Sequence, residues 1–597
     1  MATNRLGPEQ PLPYVEGFSS PEDYINQLLE FTSSSDIFQI LSGGVHIIDF
    51  FIQDPGLFRS VLPSEWHDFL LSCDIMRLLD ILLRDDLDKP FENVDIQPPR
   101  SFIDYIASIR KFSLQRDFGG PANGKKLPAL PRHVAVGMKP KKKHEVSNFA
   151  SYVQGLSEDL KKHNDTDISH FVDFGSGQNY LGRAMASEPY NRKVVAVEGR
   201  EHNVSGAKGL DVHAGLATRE VVLRNKKVYQ ELRSKCRGPD GMVNEAKLQA
   251  AIKEVSENGA FDFRPARELV AEYAVEEGKG TVQYVSGRLD SGELSEVIAQ
   301  IDQSPDGSFS LEKKKKSLMA ISIHSCGNLT HYAIRSLLLN PEIHAVAIVG
   351  CCYNLLTERL GPPTYKHPYL RPTLQAINGR VRRESEKRDP QGFPMSDKFT
   401  AHKDGVRLNI TARMMACQAP ANWSREDSEG FFTRHYYRTV LQRIFLDRGV
   451  VQKINHHDPD SGGAESDSPF DISTSPVTIG SLPKSAYGSL KSYVRGVIKK
   501  LTTSAEFKEY GHVMNAKMAD ITDDVIDEYE KQFAPRRKEI CVVWTLMAFT
   551  AVVVESLIVS DRWTYLQEQA DVREAWVETV FDYAQSPRNL VVVGIKK

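Results

Sequence analysis

Cysteine is scarce in this chain, with 7 among 597 residues, and no two of them form the CxxC pair of a zinc ribbon. So thin and odd a set also excludes a disulfide scaffold, and a reducing compartment, cytoplasmic or nuclear, is expected. Net charge is small, −3 at neutral pH, which excludes a global basic field for nucleic acid and leaves only local patches. No signal peptide is expected from "MATNRLGPEQPLPY", which is polar and Pro-rich and without the apolar core a signal peptide requires. One apolar run, "ICVVWTLMAFTAVVVESLIVS" (Ile540–Ser560), has fifteen uncharged residues before Glu555. A membrane span needs about twenty and charged residues flank this run, so a buried core helix and no membrane partner are expected.

The remaining composition, 41% hydrophobic and 26% charged, is that of a globular protein, and the length exceeds what one compact core accommodates. Residues 1–118 show helix-period spacing in "YINQLLEF", "HIIDFFI", "EWHDFLLSCDIMRLLDILLRD" and "SFIDYIASIRKF", which predicts an N-terminal helical domain of about five helices. Residues 119–136 read as a linker. Residues 137–454 alternate strand and helix, with a charged helical insertion at about 203–280. Residues 455–482, acidic and rich in Ser, Gly and Pro, read as a disordered loop. Residues 483–597 supply further helices and the final two strands.

The expected strands are "HFVDF", "KVVAVE", "TVQYVSG", "LMAISIH" and "HAVAIVG", with helices such as "SGELSEVIAQID" and "LTHYAIRSLLL" between them. Such alternation implies right-handed crossovers and a parallel sheet. "EAWVETVFDY" and "LVVVGIKK" form a hairpin through the turn at Pro587, so the last strand should run antiparallel. The fold class is therefore α/β, a Rossmann-like, mostly parallel sheet with helical additions.

"VDFGSGQNYLGRA" (Val172–Ala184) places an acid, two glycines and a helix start directly after the first strand. Glycines there let a ligand approach the backbone, whose N–H groups suit an anion. Gly175, Gly177 and Gly182 miss the third glycine of the dinucleotide spacing. Asp173 can accept from an ammonium that a pyrophosphate lacks, and Glu198 ends the second strand, 21 residues after Gly177, where a carboxylate can grip a ribose diol. Asp173, Gly175, Ser176, Gly177, Asn179 and Glu198 are thus the expected cofactor set, and S-adenosylmethionine is favoured over NAD.

The fourth strand ends in "HSCGN" (His324–Asn328) and the fifth in "GCCYN" (Gly350–Asn354). In open α/β sheets such strand ends border the reactive site. The glycine loop, "SIHSCGNL" and "VGCCYNLL", together with "GMKPKKKHEV", "TARMMACQ", "SDRWTYLQEQ" and "SPRNLVVV", resemble the methyltransferase-like protein 25 family. The resemblance runs from about residue 60 to the C-terminus, more specific than any one motif. It implies a class I S-adenosylmethionine-dependent methyltransferase. Two positions depart from the family: Asn179 stands where relatives usually have Gly, and Asn328 where they have Asp. The two strand-end motifs also resemble those of tRNA 2′-O-methyltransferases.

His324, Cys326, Asn328, Tyr353 and Asn354 are the expected acceptor-side residues. No [Asp/Asn]-Pro-Pro-aromatic motif follows the fourth strand, against adenine amino methylation, and Ser325 stands where a cytosine C5 enzyme has Pro before its nucleophilic Cys. His324 suits a general base or, equally, a loop-tying imidazole. A metal set of His324, Cys326, Cys351 and Cys352 is weighed and set aside, because adjacent cysteines seldom both aim inward and free Cys packs well. The basic stretches are Lys139–Glu145, Lys313–Lys316 and Arg380–Arg388; the first could hold RNA phosphates. The expected activity is methyl transfer to an N or O acceptor in RNA, with a possible accessory protein subunit. A protein acceptor, or a non-catalytic S-adenosylmethionine-binding partner protein, is the alternative.

Overall fold

A computed structural model describes residues 5–597 apart from 46, 53–54, 90, 93, 121–126, 220–225, 239–240, 258–270, 274–275, 286–288, 302–315, 361–388, 456–471, 475–476 and 478. The basic runs at Lys313–Lys315 and Arg380–Arg388 lie outside the described residues, as does most of the acidic stretch.

Seven strands make the main sheet: β1 (His170–Phe174), β2 (Lys193–Val197), β3 (Thr281–Val285), β4 (Leu318–Cys326), β5 (Ile343–Cys351), β6 (Val572–Thr579) and β7 (Leu590–Lys596). Their hydrogen-bonded order is β6-β7-β5-β4-β1-β2-β3. β1 pairs parallel with β2 and β4, and β2 with β3. β7 runs antiparallel to both β5 and β6, as the C-terminal hairpin required. The sheet is mostly parallel, its central strands buried along nearly all their length, which is why β5 reads as a Val/Ile/Ala run without polar alternation. β4 and β5 each reach farther than the sequence suggested, through Cys326 and Cys351.

The chain divides into two compact units, one of residues 121–288 and 294–322, the other of 1–120, 289–293 and 323–597. The division falls inside β4. In the smaller unit, a helix over Pro140–Asn164 precedes β1. The sequence pattern "EVSNFASYVQGLSEDLKKH" suggests a start at Glu145, but Pro140 sits in the first turn, so Lys141–Lys143 belong to the helix and do not precede it. The insertion holds helices Glu201–His213, Lys226–Lys235 and Glu245–Glu257 and also a short antiparallel ladder, Thr218–Arg219 with Ala271–Glu272.

In the larger unit the helix Arg537–Gln567 runs through the core, with Val542, Val543, Leu546, Val553, Val554 and Ile558 fully covered. Burying each such side chain contributes about 1.5–3 kcal/mol relative to exposure, so the apolar run belongs inside. The segment Asp523–Gln567 is long and apolar enough to cross a membrane by length and composition, and its most apolar window is 94% buried within the protein. The N-terminal helices share this core: the Tyr105 hydroxyl meets Thr550, and the Leu114 N–H donates to Ser556 Oγ at 2.9 Å. The expected long helix from Glu65 breaks at Cys73, and Asp74 caps a new one, Ile75–Leu83, by accepting from the N–H groups of Met76 and Arg77. "HIIDFFI" gives only a 3₁₀ turn, Ile47–Asp49. Where a disordered loop was expected, Ile472–Thr474 pairs antiparallel with Lys453–Asn455.

Candidate functional site

In the smaller unit the loop after β1 folds onto the end of β2. The N–H groups of Gly175 and Ser176 donate to the Val197 carbonyl at 3.0 and 3.1 Å. Glu198 continues the strand and accepts from the Gly177 N–H at 2.9 Å with Oε2 and from the Arg200 N–H at 2.9 Å with Oε1. Each carboxylate oxygen keeps a second acceptor position. Gly175 and Gly177 have φ of +67° and +56°, a conformation glycine adopts without penalty. A Cβ built on Gly177 would meet nothing within 4 Å, so open space borders the loop there. Ser176 Oγ is buried without a hydrogen-bond partner.

Asn179 does not face that space. It holds φ +51°, ψ +40°, which Asn tolerates, and its side chain is fully buried. Nδ2 donates to the Tyr284 hydroxyl at 2.9 Å, and Tyr284 in turn donates to Asp211 at 2.5 Å. Asp211 also accepts from Arg183 Nε at 2.8 Å and from Tyr273 at 2.8 Å, an internal ion pair closed by hydrogen bonds. Asn179 Oδ1 lies where a Cβ on Gly182 would sit, 2.0 Å away, so Gly182 makes room for Asn179. The expectation that Asn179 binds cofactor is therefore corrected: its bulk turns into the core. Asp211, Tyr273 and Tyr284, which brace the loop, were not singled out in the sequence. An acid on a charged helix carries no signal of a partner 73 residues away.

Asp173 is the penultimate residue of β1 and is buried. Burial pushes its carboxyl up to about 7, with Lys142 opposing and Glu198 reinforcing the rise. Lys142 also pairs with the fully buried Glu145 at 2.6 Å. The helix start at Pro140 thus sets Lys142 near the glycine loop, while Lys139, Lys141 and Lys143 stay exposed.

In the larger unit the ends of β4 and β5 bring three thiols together. Cys326 Sγ lies 3.4 Å from Cys351 Sγ and 3.3 Å from Cys352 Sγ, and the last two are 3.7 Å apart. The expectation that adjacent cysteines would diverge is corrected. Cys351 is the last strand residue and Cys352 leaves the strand with φ +49°, ψ +53°, which swings its side chain to the same side. Hydrogen bonds from Cys326 and Cys351 lower the Cys352 thiol, while those from Cys326 and Cys352 raise Cys351. His324, half-buried two residues before Cys326, is within electrostatic reach of Cys352.

Two expected acceptor-side residues serve their neighbours instead. Asn328 is buried; its Nδ2 donates to Thr357 Oγ1 at 2.5 Å and Asp389 at 2.9 Å, and its Oδ1 accepts from the Thr357 N–H at 3.0 Å. Tyr353 is buried and donates to Glu555 at 2.6 Å, which is flanked by Arg116 at 2.5 Å and Arg588 at 2.6 Å. Burial, with Glu555 beside it, pushes the phenol well above its ordinary range. Asn354 is exposed, its Oδ1 accepting from the Cys417 thiol at 3.5 Å.

Residues 141–359 match a family described as a methyltransferase domain. A human protein described as probable methyltransferase-like protein 25 is 24% identical over 519 residues, covering 77% of this chain and 75% of its own length. A mouse protein of the same description is 26% identical over 280 residues, covering 47% of this chain and 37% of its own length. No solved structure matches the chain significantly.

Proposed function

We propose that this chain, a homologue of methyltransferase-like protein 25 that carries a methyltransferase domain, takes its methyl group from S-adenosylmethionine and delivers it to a nitrogen or oxygen of RNA. The observation that supports the cofactor is the open space beside Gly177, bordered by the loop that Glu198 holds, with Ser176 Oγ unpartnered and Asp173 close enough to feel Glu198. Asp173 would accept from the methionine ammonium, and Glu198 from the ribose hydroxyls through its remaining lone pairs. S-adenosylmethionine, when bound, supplies a sulfonium methyl open to in-line displacement.

This chain's own work is binding, alignment and proton removal. Asp173, protonated in part at neutral pH because it is buried, gains a reason to ionise when a cation docks beside it. The Gly175–Gly177 turn holds the cofactor's place with hydrogen bonds already made to Val197 and Glu198, so little ordering remains for the binding event. His324 is the group assigned to take the proton that the acceptor N–H or O–H loses as it gains methyl. Asn328 and Tyr353 drop from that role because their polar atoms are engaged.

RNA as acceptor rests on the exposed Lys139, Lys141 and Lys143 at one helix start and on the resemblance of the strand-end motifs to RNA-modifying enzymes. Purified protein with tritiated S-adenosylmethionine, offered total RNA and cell lysate, tests it. Label that nuclease removes and protease leaves is expected, and it should fall steeply as salt rises. Label that only protease removes would move the acceptor to protein.

A further inference from the structure

The three sulfurs at the ends of β4 and β5 are arranged as ligands are, and no step of the proposed methyl transfer uses them as such. Cys326, Cys351 and Cys352 lie within 4.8 Å of one another as ligand atoms, with mutual Sγ distances of 3.3–3.7 Å. A tetrahedral ion with Zn–S bonds of about 2.3 Å holds its sulfurs about 3.8 Å apart. The trio therefore needs only to open slightly. The positive φ of Cys352 is what makes this possible, since a residue continuing the strand would send its thiol to the opposite face.

Two further observations point to a ligand and away from simple packing. Cys326 is exposed, whereas a cysteine that merely fills a core is buried. Beneath the strand end, Arg562 is fully buried, yet its Nε and Nη2 have no hydrogen-bond acceptor. Its Nη1 sits 2.3 Å from where a Cβ on Gly350, next to Cys351, would stand, and Tyr353, Asp561, Cys351 and Glu555 all favour its charge. A buried guanidinium so placed is stabilised by negative charge nearby.

We propose that Cys326, Cys351 and Cys352 bind one zinc-class divalent ion, with three thiolates from the protein and a fourth position left for water or an external ligand. Binding takes all three sulfurs as thiolates, releasing the protons that their thiols still hold, and the resulting group carries a net charge of −1. Three protein ligands with one open position is the arrangement of zinc sites that polarise a bound group, in contrast to closed structural sites. Thiolate donors select this class of metal over magnesium or calcium. The site stands independently of the acceptor's identity.

The full-length protein, reduced and stripped of metal, should be titrated with cobalt(II). Sulfur-to-cobalt charge-transfer absorption is expected to saturate at one equivalent and to be bleached by zinc. Cys326→Ser and Cys352→Ser should each weaken cobalt binding by about tenfold or more with the far-ultraviolet circular dichroism unchanged. Cys417→Ser should bind as the wild type does, because that thiol is bonded to Asn354 and to the Arg413 carbonyl. Absence of the charge-transfer band in folded, reduced protein would overturn the proposal. So would binding that survives Cys326→Ser, or that Cys417→Ser abolishes.

Discussion

Gly177 and Gly327 both turn the chain at φ +56° just beyond a strand, yet their surroundings are opposite. A Cβ on Gly177 would enter open space, whereas one on Gly327 would strike the Leu355 backbone, 2.6 Å from its carbonyl oxygen and 2.7 Å from its carbon. The polar groups differ in the same sense. Around Gly177, Glu198 spends one hydrogen bond per oxygen and Ser176 Oγ has none. Around Gly327, Asn328 and Tyr353 are committed to Thr357, Asp389 and Glu555. The same φ thus borders open space in one loop and a packed joint in the other, and only the neighbours distinguish them.

Equivalent substitutions in the two regions should have unequal effects. The largest difference is expected between two Glu→Gln changes. Glu555→Gln leaves Arg116 and Arg588 facing a neutral group in a buried site and should cost about 3–5 kcal/mol. Glu198→Gln, at a half-exposed loop, should cost under about 1 kcal/mol. Urea unfolding of both variants measures this, and similar losses would erase the distinction. Next come the glycines. Gly327→Ala combines positive-φ strain with a backbone clash, for about 2–4 kcal/mol; Gly177→Ala carries the strain alone, about 1–2 kcal/mol. Melting curves of the pair should differ accordingly, and Gly177→Ala should also lose S-adenosylhomocysteine affinity because its methyl group enters the open space.

The smallest effect is a pH dependence confined to the first region. Asp173 is raised by burial to about 7, above the ordinary carboxyl value. A raised carboxyl favours folding while protonated, so its contribution is complete below its unfolded value and is lost as pH rises through about 7. Ligand binding runs the other way, because an ammonium needs the carboxylate. S-adenosylhomocysteine affinity should rise up to about tenfold between pH 6 and 8, or ~1.4 kcal/mol. Asp173→Asn should flatten both trends. An unchanged slope in that variant would assign the titration elsewhere.

Much of the architecture was legible because it is local. β1, β2 and the helix Leu329–Leu339 sit where hydrophobic period placed them, and the hairpin at Pro587 announced the antiparallel strand. The glycine loop with Glu198 was legible for the same reason, its parts lying within 26 residues, Asp173 to Glu198. What stayed hidden depends on distant partners. Nothing near Tyr353 signals Glu555, 202 residues on, and nothing near Asn328 signals Asp389. The convergence of the thiols turns on one backbone angle at Cys352, which no spacing rule encodes. Lys142 was recoverable: Pro140 is a helix start, and counting from it places Lys142 and Glu145 one turn apart.

Calorimetry of S-adenosylhomocysteine against the wild type and Glu198→Ala addresses the central assignment most directly. The wild type should bind in the micromolar range, roughly −8 kcal/mol. Glu198→Ala should lose about 1.5–3 kcal/mol of that through the missing charged hydrogen bonds while keeping its circular dichroism. Wild-type protein that binds NAD tightly and ignores S-adenosylhomocysteine, or a Glu198→Ala variant that binds S-adenosylhomocysteine as the wild type does, would contradict the assignment.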